Sequence, residues 1–247
     1  YRQIPKVASL DKQHVFKTIA HNKAGYPAGL LTRWSVDDFA DSLPTPVFLM
    51  GFLRSGTTLT EQILAAHPDV VSSDENDLIY GLTHEIKQLT GCPIDHISSG
   101  LQQLDLQQAR DLRRLYWQRV GQEYKAFDAT KHCFINKVAL NSIEIGLIAS
   151  LFPEARILFA LRDPRDVCLS CFQQTFRPSL ITVNLADWQA IAEQYAAVMD
   201  LWLTIKPMMQ PRYLELRYED TVADLQGSMR KVFDLLALPW SEEINTF

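Results

Sequence analysis

Apolar residues along this chain fall into short unbroken runs separated by longer stretches of helical spacing. Pro46-Val-Phe-Leu-Met50 is one such run; its length, and the glycine that follows, predict a buried strand. From Thr57 onward, Leu59, Ile63 and Leu64 recur at helical spacing until His67-Pro68 closes the helix. Val70-Val71 is a second strand candidate, followed by helical patterns over 78–89 and 106–124. Cys133-Phe-Ile-Asn-Lys137 reads as a strand with a helix after it through Ile148, and Arg156-Ile-Leu-Phe-Ala-Leu161 is the clearest later strand. Helices are expected around 165–175 and 185–205, then a strand over 213–217 and a final helix over 222–236. Strands alternating with helices imply crossover connections: an α/β fold, with a parallel sheet flanked by helices on both faces. Residues 1–45, with Pro5, Pro27 and Pro44, read as a leading segment of short helices, the remnant of an upstream domain on one reading, ahead of a domain over 46–247.

Composition narrows the function classes. The 247 residues are 47% apolar and carry a formal charge of −5, enough for one large α/β domain and the wrong sign for a broad nucleic-acid footprint. No apolar run reaches the length of a membrane span, and YRQIPKVASL lacks the core of a signal peptide. Starting at Tyr1, the chain reads as part of a longer one. Cys92, Cys133, Cys168 and Cys171 are not spaced as a disulfide framework. Cys168-Leu-Ser-Cys171 matches C-x-x-C but sits in an apolar helical stretch without a second ligand pair, so buried thiols in a reducing compartment are expected over redox or zinc chemistry.

The candidate chemistry begins at GFLRSGTTL, residues 51–59, a strand-loop-helix junction with two glycines. Such a loop presents backbone amides and a helix N-terminus to an anion. A nucleoside-triphosphate loop places lysine where this one has Thr57, and its nearest cation is Arg54. Thr57 and Thr58 add hydroxyls, and Arg54 adds a planar fork suited to anionic oxygens. The loop therefore suits one phosphate carrying a further anionic group better than Mg²⁺-bound β/γ-phosphates.

PVFLMGFLRSGTTLTEQILAAHPDV together with ILFALRDPRDVCLSCF resembles the sulfotransferases, which move a sulfuryl group from 3′-phosphoadenosine 5′-phosphosulfate (PAPS) to a hydroxyl or amine. The resemblance runs from Pro46 to Trp240 and is strongest to the tyrosylprotein sulfotransferases and the bacterial enzymes that follow tetratricopeptide repeats. It implies that Arg54, Ser55, Gly56, Thr57 and Thr58 hold the 5′-phosphosulfate, that Arg162 and Ser170 hold the 3′-phosphate, and that Tyr218 lies by the nucleotide. It further implies Glu75 as general base with Asp74 beside it, Lys137 as the cation neutralising the bridging oxygen as PAP departs, and no metal requirement. The implied acceptor bears a hydroxyl, on a protein or peptide among other carriers, and the bacterial-type likeness implies a cytoplasmic protein.

Each assignment has a plainer counterpart. Arg162-Asp163 and Arg165-Asp166 would otherwise be surface ion pairs, and Glu75 an acidic residue at a helix N-terminus. Asp163 could pass for the Mg²⁺ ligand of a nucleotide-dependent phosphotransferase, which the absent lysine opposes. His67 reads as a helix terminator, and His84, His96 and His132 have no supporting context. Departures from the resembled pattern are Leu53 for proline, Asp77 for an arginine, and Ser72, Ile135 and Tyr213 where the Golgi enzymes place cysteines. Asp77 keeps open a third reading, a non-catalytic nucleotide-binding module. Acceptor choice is expected in loops such as 91–104 and 176–184.

Overall fold

The structure, a computed structural model, describes residues 9–73 and 75–246. Asp74 lies outside the described residues. Among the described residues three helices come first: α1 (His14–Gly25), α2 (Ala28–Leu31) and α3 (Val36–Phe39). Then follow β1 (Val47–Gly51), α4 (Thr57–Ala65), β2 (Val70–Ser73), α5 (Leu78–Thr90), α6 (Ile97–Gln103), α7 (Leu106–Glu123) and β3 (Cys133–Lys137). A 3₁₀ turn (Ala139–Glu144) leads into α8 (Ile145–Leu151), β4 (Arg156–Leu161), α9 (Pro164–Gln173), α10 (Trp188–Ile205), β5 (Arg212–Arg217), α11 (Tyr218–Ala223) and α12 (Leu225–Leu236).

The five strands form one sheet in the order β2-β3-β1-β4-β5, and every pair is parallel. β1 and the middle of β4 are uninterrupted runs of buried residues because both faces are covered there. Phe48, Met50, Phe134, Ile157 and Phe159 point to the larger core, shared with α1–α3, α5–α8 and α10. Val47, Leu49, Ile135 and Leu158 point the other way, onto Ile63 and Leu64 of α4 and Met229, Val232 and Phe233 of α12. After β1 the chain builds β2 and β3 on one side, then β4 and β5 on the other. The crevice where strand order reverses, at the C-terminal ends of the strands, is where open α/β sheets bind ligands.

The leading segment joins the larger core through Val15, Ile19, Leu30, Leu31, Trp34 and Phe39. Arg113 of α7 ties it down: its guanidinium donates to Asp41 at 2.9 and 3.1 Å, to Glu154 at 3.0 Å through two nitrogens, and to the Leu151 carbonyl at 2.7 Å. Phe39 lies over the same guanidinium, 4.2 Å from its carbon to the ring centre.

Two stretches differ from the pattern-based expectation. The 91–104 stretch contains the helix α6, whose Ile97 and Leu101 are buried. The expected helix over 222–236 is two helices, α11 and α12, because Asp224 leaves the helical conformation and its side chain caps the second at the Gly227 N–H. No helix among the described residues is long and apolar enough to cross a membrane.

Candidate anion-binding and transfer site

The loop between β1 and α4 is shaped by two left-handed residues. Gly56 has φ 99° and Arg54 φ 66°, bracketing Ser55. A Cβ at Gly56 would come within 2.9 Å of the Tyr218 ring, so glycine is required for both conformation and space. Arginine in that region is strained by about 1 kcal/mol or more, a cost that concentrates at ligand sites. Leu53, standing where proline was expected, leaves the loop formed, and its carbonyl receives the Cys171 thiol at 3.6 Å. Gly56 offers no side-chain cap, so the first N–H groups of α4 remain available to an anion.

The two predicted anion sites meet around Arg54. Its Nε donates to the Ser170 hydroxyl at 3.0 Å, and Arg162 Nη1 donates to the Arg54 carbonyl at 3.4 Å. The Arg162 guanidinium also lies over the Tyr218 ring at 4.5 Å. Residues distant in sequence thus converge at the C-terminal ends of β1, β4 and β5. Within this cluster the Ser55 hydroxyl and Arg162 Nε are shut off from solvent with no hydrogen-bond partner in the protein. Buried donors left this way call for an acceptor. Thr57 is buried and Thr58 exposed at the helix start.

The ion pairing around Arg162 is not the one its neighbours in sequence suggested. Asp163 pairs with Arg165 at 2.6 Å and accepts from the Arg165 N–H, capping α9. Those hydrogen bonds hold its carboxyl well below the usual carboxylate range. Asp163 is therefore committed to α9, which disfavours a Mg²⁺-ligand role. Arg162 itself reaches Asp166 only at 3.9 Å.

Lys137, Glu75 and Glu61 form a second cluster. Lys137 closes β3, its backbone N–H bonded to the Ser73 hydroxyl at 3.0 Å, and its side chain is only 9% exposed. Its ammonium lies 3.3 Å from Glu61 and 4.0 Å from Glu75. Glu75 is 67% exposed, whereas Glu61 is 11% exposed. Sequence reasoning missed Glu61; the only signal was a charged residue on the apolar stripe of α4, two residues before Ile63. Asp77 makes no side-chain cap on α5, and Asn76 supplies the acceptor for Leu78 N–H at 3.0 Å. His67 is buried as a structural tie: its Nδ1 accepts from Asp69 N–H at 3.0 Å and its Nε2 donates to the Pro239 carbonyl at 3.0 Å. All four cysteines are free thiols, and burial pushes that of Cys171 up to about 12.

Comparison with known proteins addresses the family and the fold. Among curated sequences, an uncharacterized protein of Aquifex aeolicus (strain VF5) is 27% identical over 81% of this chain and 26% of its own length. The protein-tyrosine sulfotransferase of Drosophila melanogaster is 24% identical over 97% of this chain and 48% of its own, and protein-tyrosine sulfotransferase A of Caenorhabditis elegans is 24% identical over 88% and 56%. The chain thus spans from about a quarter to about half the length of these relatives. Among solved structures, the sulfotransferase domain from the curacin biosynthetic pathway superposes with a TM-score of 0.56 at 18% identity, over 83% of this chain and 77% of that one. That likeness speaks to fold. A family model described as the Sulfotransferase family matches residues 46–242, and with that match over most of its length this chain belongs to the sulfotransferase family.

Proposed function

We propose that the chain transfers a sulfuryl group from PAPS to a hydroxyl acceptor, with tyrosine of a protein or peptide as the first acceptor to test. The observation that carries this reading is the convergence of Arg54, Ser170, Arg162 and Tyr218 around two buried, unpartnered donors, Ser55 Oγ and Arg162 Nε. A donor with a 5′-phosphosulfate and a separate 3′-phosphate needs two adjacent anion sites, and no lysine at the position of Thr57 is needed to hold a triphosphate. Protein-tyrosine sulfotransferases among the relatives support a protein acceptor.

PAPS would supply the sulfuryl group, its S–O bond to the 5′-phosphate breaking as the bond to the acceptor oxygen forms. Glu75, exposed beside Lys137, takes the acceptor's hydroxyl proton. Lys137 and Arg54 stabilise the charge that gathers on the bridging oxygen. Ser55, the α4 N-terminus, Thr57 and Thr58 hold the 5′ group; Arg162 and Ser170 hold the 3′-phosphate. Glu61, 3.3 Å from the Lys137 ammonium, holds it in position. Four unpaired cysteines accord with a reducing, cytoplasmic setting.

Calorimetric titration with PAP, and separately with ATP plus Mg²⁺, tests the nucleotide site. Tight PAP binding, weakened at least tenfold by Arg162→Ala, is expected; a preference for ATP-Mg²⁺ would sink the proposal. Glu75→Gln should abolish transfer from labelled PAPS to a tyrosine peptide while leaving PAP affinity nearly unchanged.

A further inference from the structure

Outside the residues just described, His21, Asp95 and His96 bring their side-chain donor atoms within 4.8 Å of one another. His21 lies in the second half of α1, and Asp95 and His96 end the turn that leads into α6. The two imidazole rings sit with centroids 3.7 Å apart, tilted by 38°. His21 Nδ1 is shut off from solvent and has no hydrogen-bond partner in the protein. The Asp95 carboxylate faces it at 4.0 Å, too far for a hydrogen bond and close enough to share a third body.

The elements carrying these residues are locked in place independently. A Cβ on Gly25 would fall 2.0 Å from the Ser98 hydroxyl, so the end of α1 packs directly on the Ser98 side chain of α6. Arg33 Nη1 donates to the Leu101 and Gln102 carbonyls at 3.2 and 3.0 Å, and Asn22 anchors α1 to the Ile143 carbonyl at 2.7 Å. The three donors are therefore held near one another by a frame that does not depend on them. Two imidazoles and one carboxylate suit a divalent transition metal of borderline softness; Mg²⁺ and Ca²⁺ prefer all-oxygen shells. Ligands of a tetrahedral ion lie roughly 3.3 Å apart, which the partly exposed His21 and Asp95 side chains can reach by small rotations.

We propose that His21, Asp95 and His96 bind one zinc-like divalent ion, with a fourth position left to water, and that the ion clamps α1 to the turn before α6. The clamp is structural and separate from sulfuryl transfer, so it stands or falls without the proposed activity.

The test uses untagged, chelator-stripped protein titrated with Co²⁺, followed by its visible d–d absorption, and with Zn²⁺ in a calorimeter. One ion per chain, Co²⁺ displaced by Zn²⁺, and a Tm higher by roughly 5 °C at a hundredfold excess over Kd are expected. Asp95→Asn and His96→Gln should each weaken Zn²⁺ at least tenfold, with PAP binding unchanged. His84→Ala, whose ring packs on Tyr80 instead, should leave the metal affinity as it was. No binding at hundreds of micromolar Zn²⁺, or binding that the Asp95 and His96 variants leave intact, would overturn the proposal.

Discussion

Glu61 and Lys137 form a pair that water barely reaches, and removing one partner strands the other. A buried ion pair broken from one side typically costs about 3–5 kcal/mol, whereas Glu61→Gln keeps a hydrogen-bond acceptor and should cost less. With Glu61 positioning Lys137, Glu61→Gln should lower kcat about tenfold or more and change the KM for PAPS little. A purely structural glutamate would leave kcat intact in the fraction that folds. Glu144 is the opposite case: its Oε2 is buried without a partner, and burial pushes its pKa from 4.5 up to about 7. Between those values the unfolded chain releases a proton that the folded chain keeps, so stability falls as pH rises from about 4.5 to 7 and levels off above. Urea midpoints at pH 5 and pH 8 should differ accordingly, by on the order of 2–3 kcal/mol in this group's contribution, and Glu144→Gln should flatten that slope. Neither residue announces itself in the sequence. Glu61 meets Lys137 only because β3 is laid down beside β1, and Glu144 looks like an ordinary glutamate after a serine and an isoleucine.

The junction of β1, the anion loop and α4 is the element that sequence describes most fully. The change from an unbroken apolar run to helical spacing marks both boundaries, and two glycines mark the turn. What sequence does not carry is the left-handed conformation of Arg54 or the Tyr218 ring pressed against Gly56, which comes from the far edge of the sheet. Gly56→Ala tests that arrangement: the added methyl meets both the strained φ and the ring, and PAP affinity should fall at least tenfold while the fold survives. Circular dichroism and PAP calorimetry on the same sample separate those effects. Helix α6 was hidden for another reason. It offers only Ile97 and Leu101 as large apolar contacts, too few to register as a period, and it is stabilised by packing on α5 and α1.

At the scale of the molecule, the strand order could be expected only as far as parallel crossovers; that β1 sits centrally, with β3 and β4 on either side, is a tertiary result. The leading segment adds few residues to a core that others build: Val15 and Ile19 from α1, Leu30 and Leu31 from α2, and Phe39 from α3. Arg113 is the rivet between them. Arg113→Ala would leave Asp41 and Glu154 facing each other and should cost about 3–5 kcal/mol, seen as a Tm lower by roughly 10 °C, with PAP binding intact at low temperature. The buried cysteines make such loosening visible in time. Cys171, under the anion loop with its thiol pushed up to about 12, is almost never a thiolate while the fold is closed. Its alkylation rate is then a clock that ticks only when α9 parts from the loop, and a nucleotide seated there should slow that clock while leaving Cys92 and Cys133, which are not on α9, as they were.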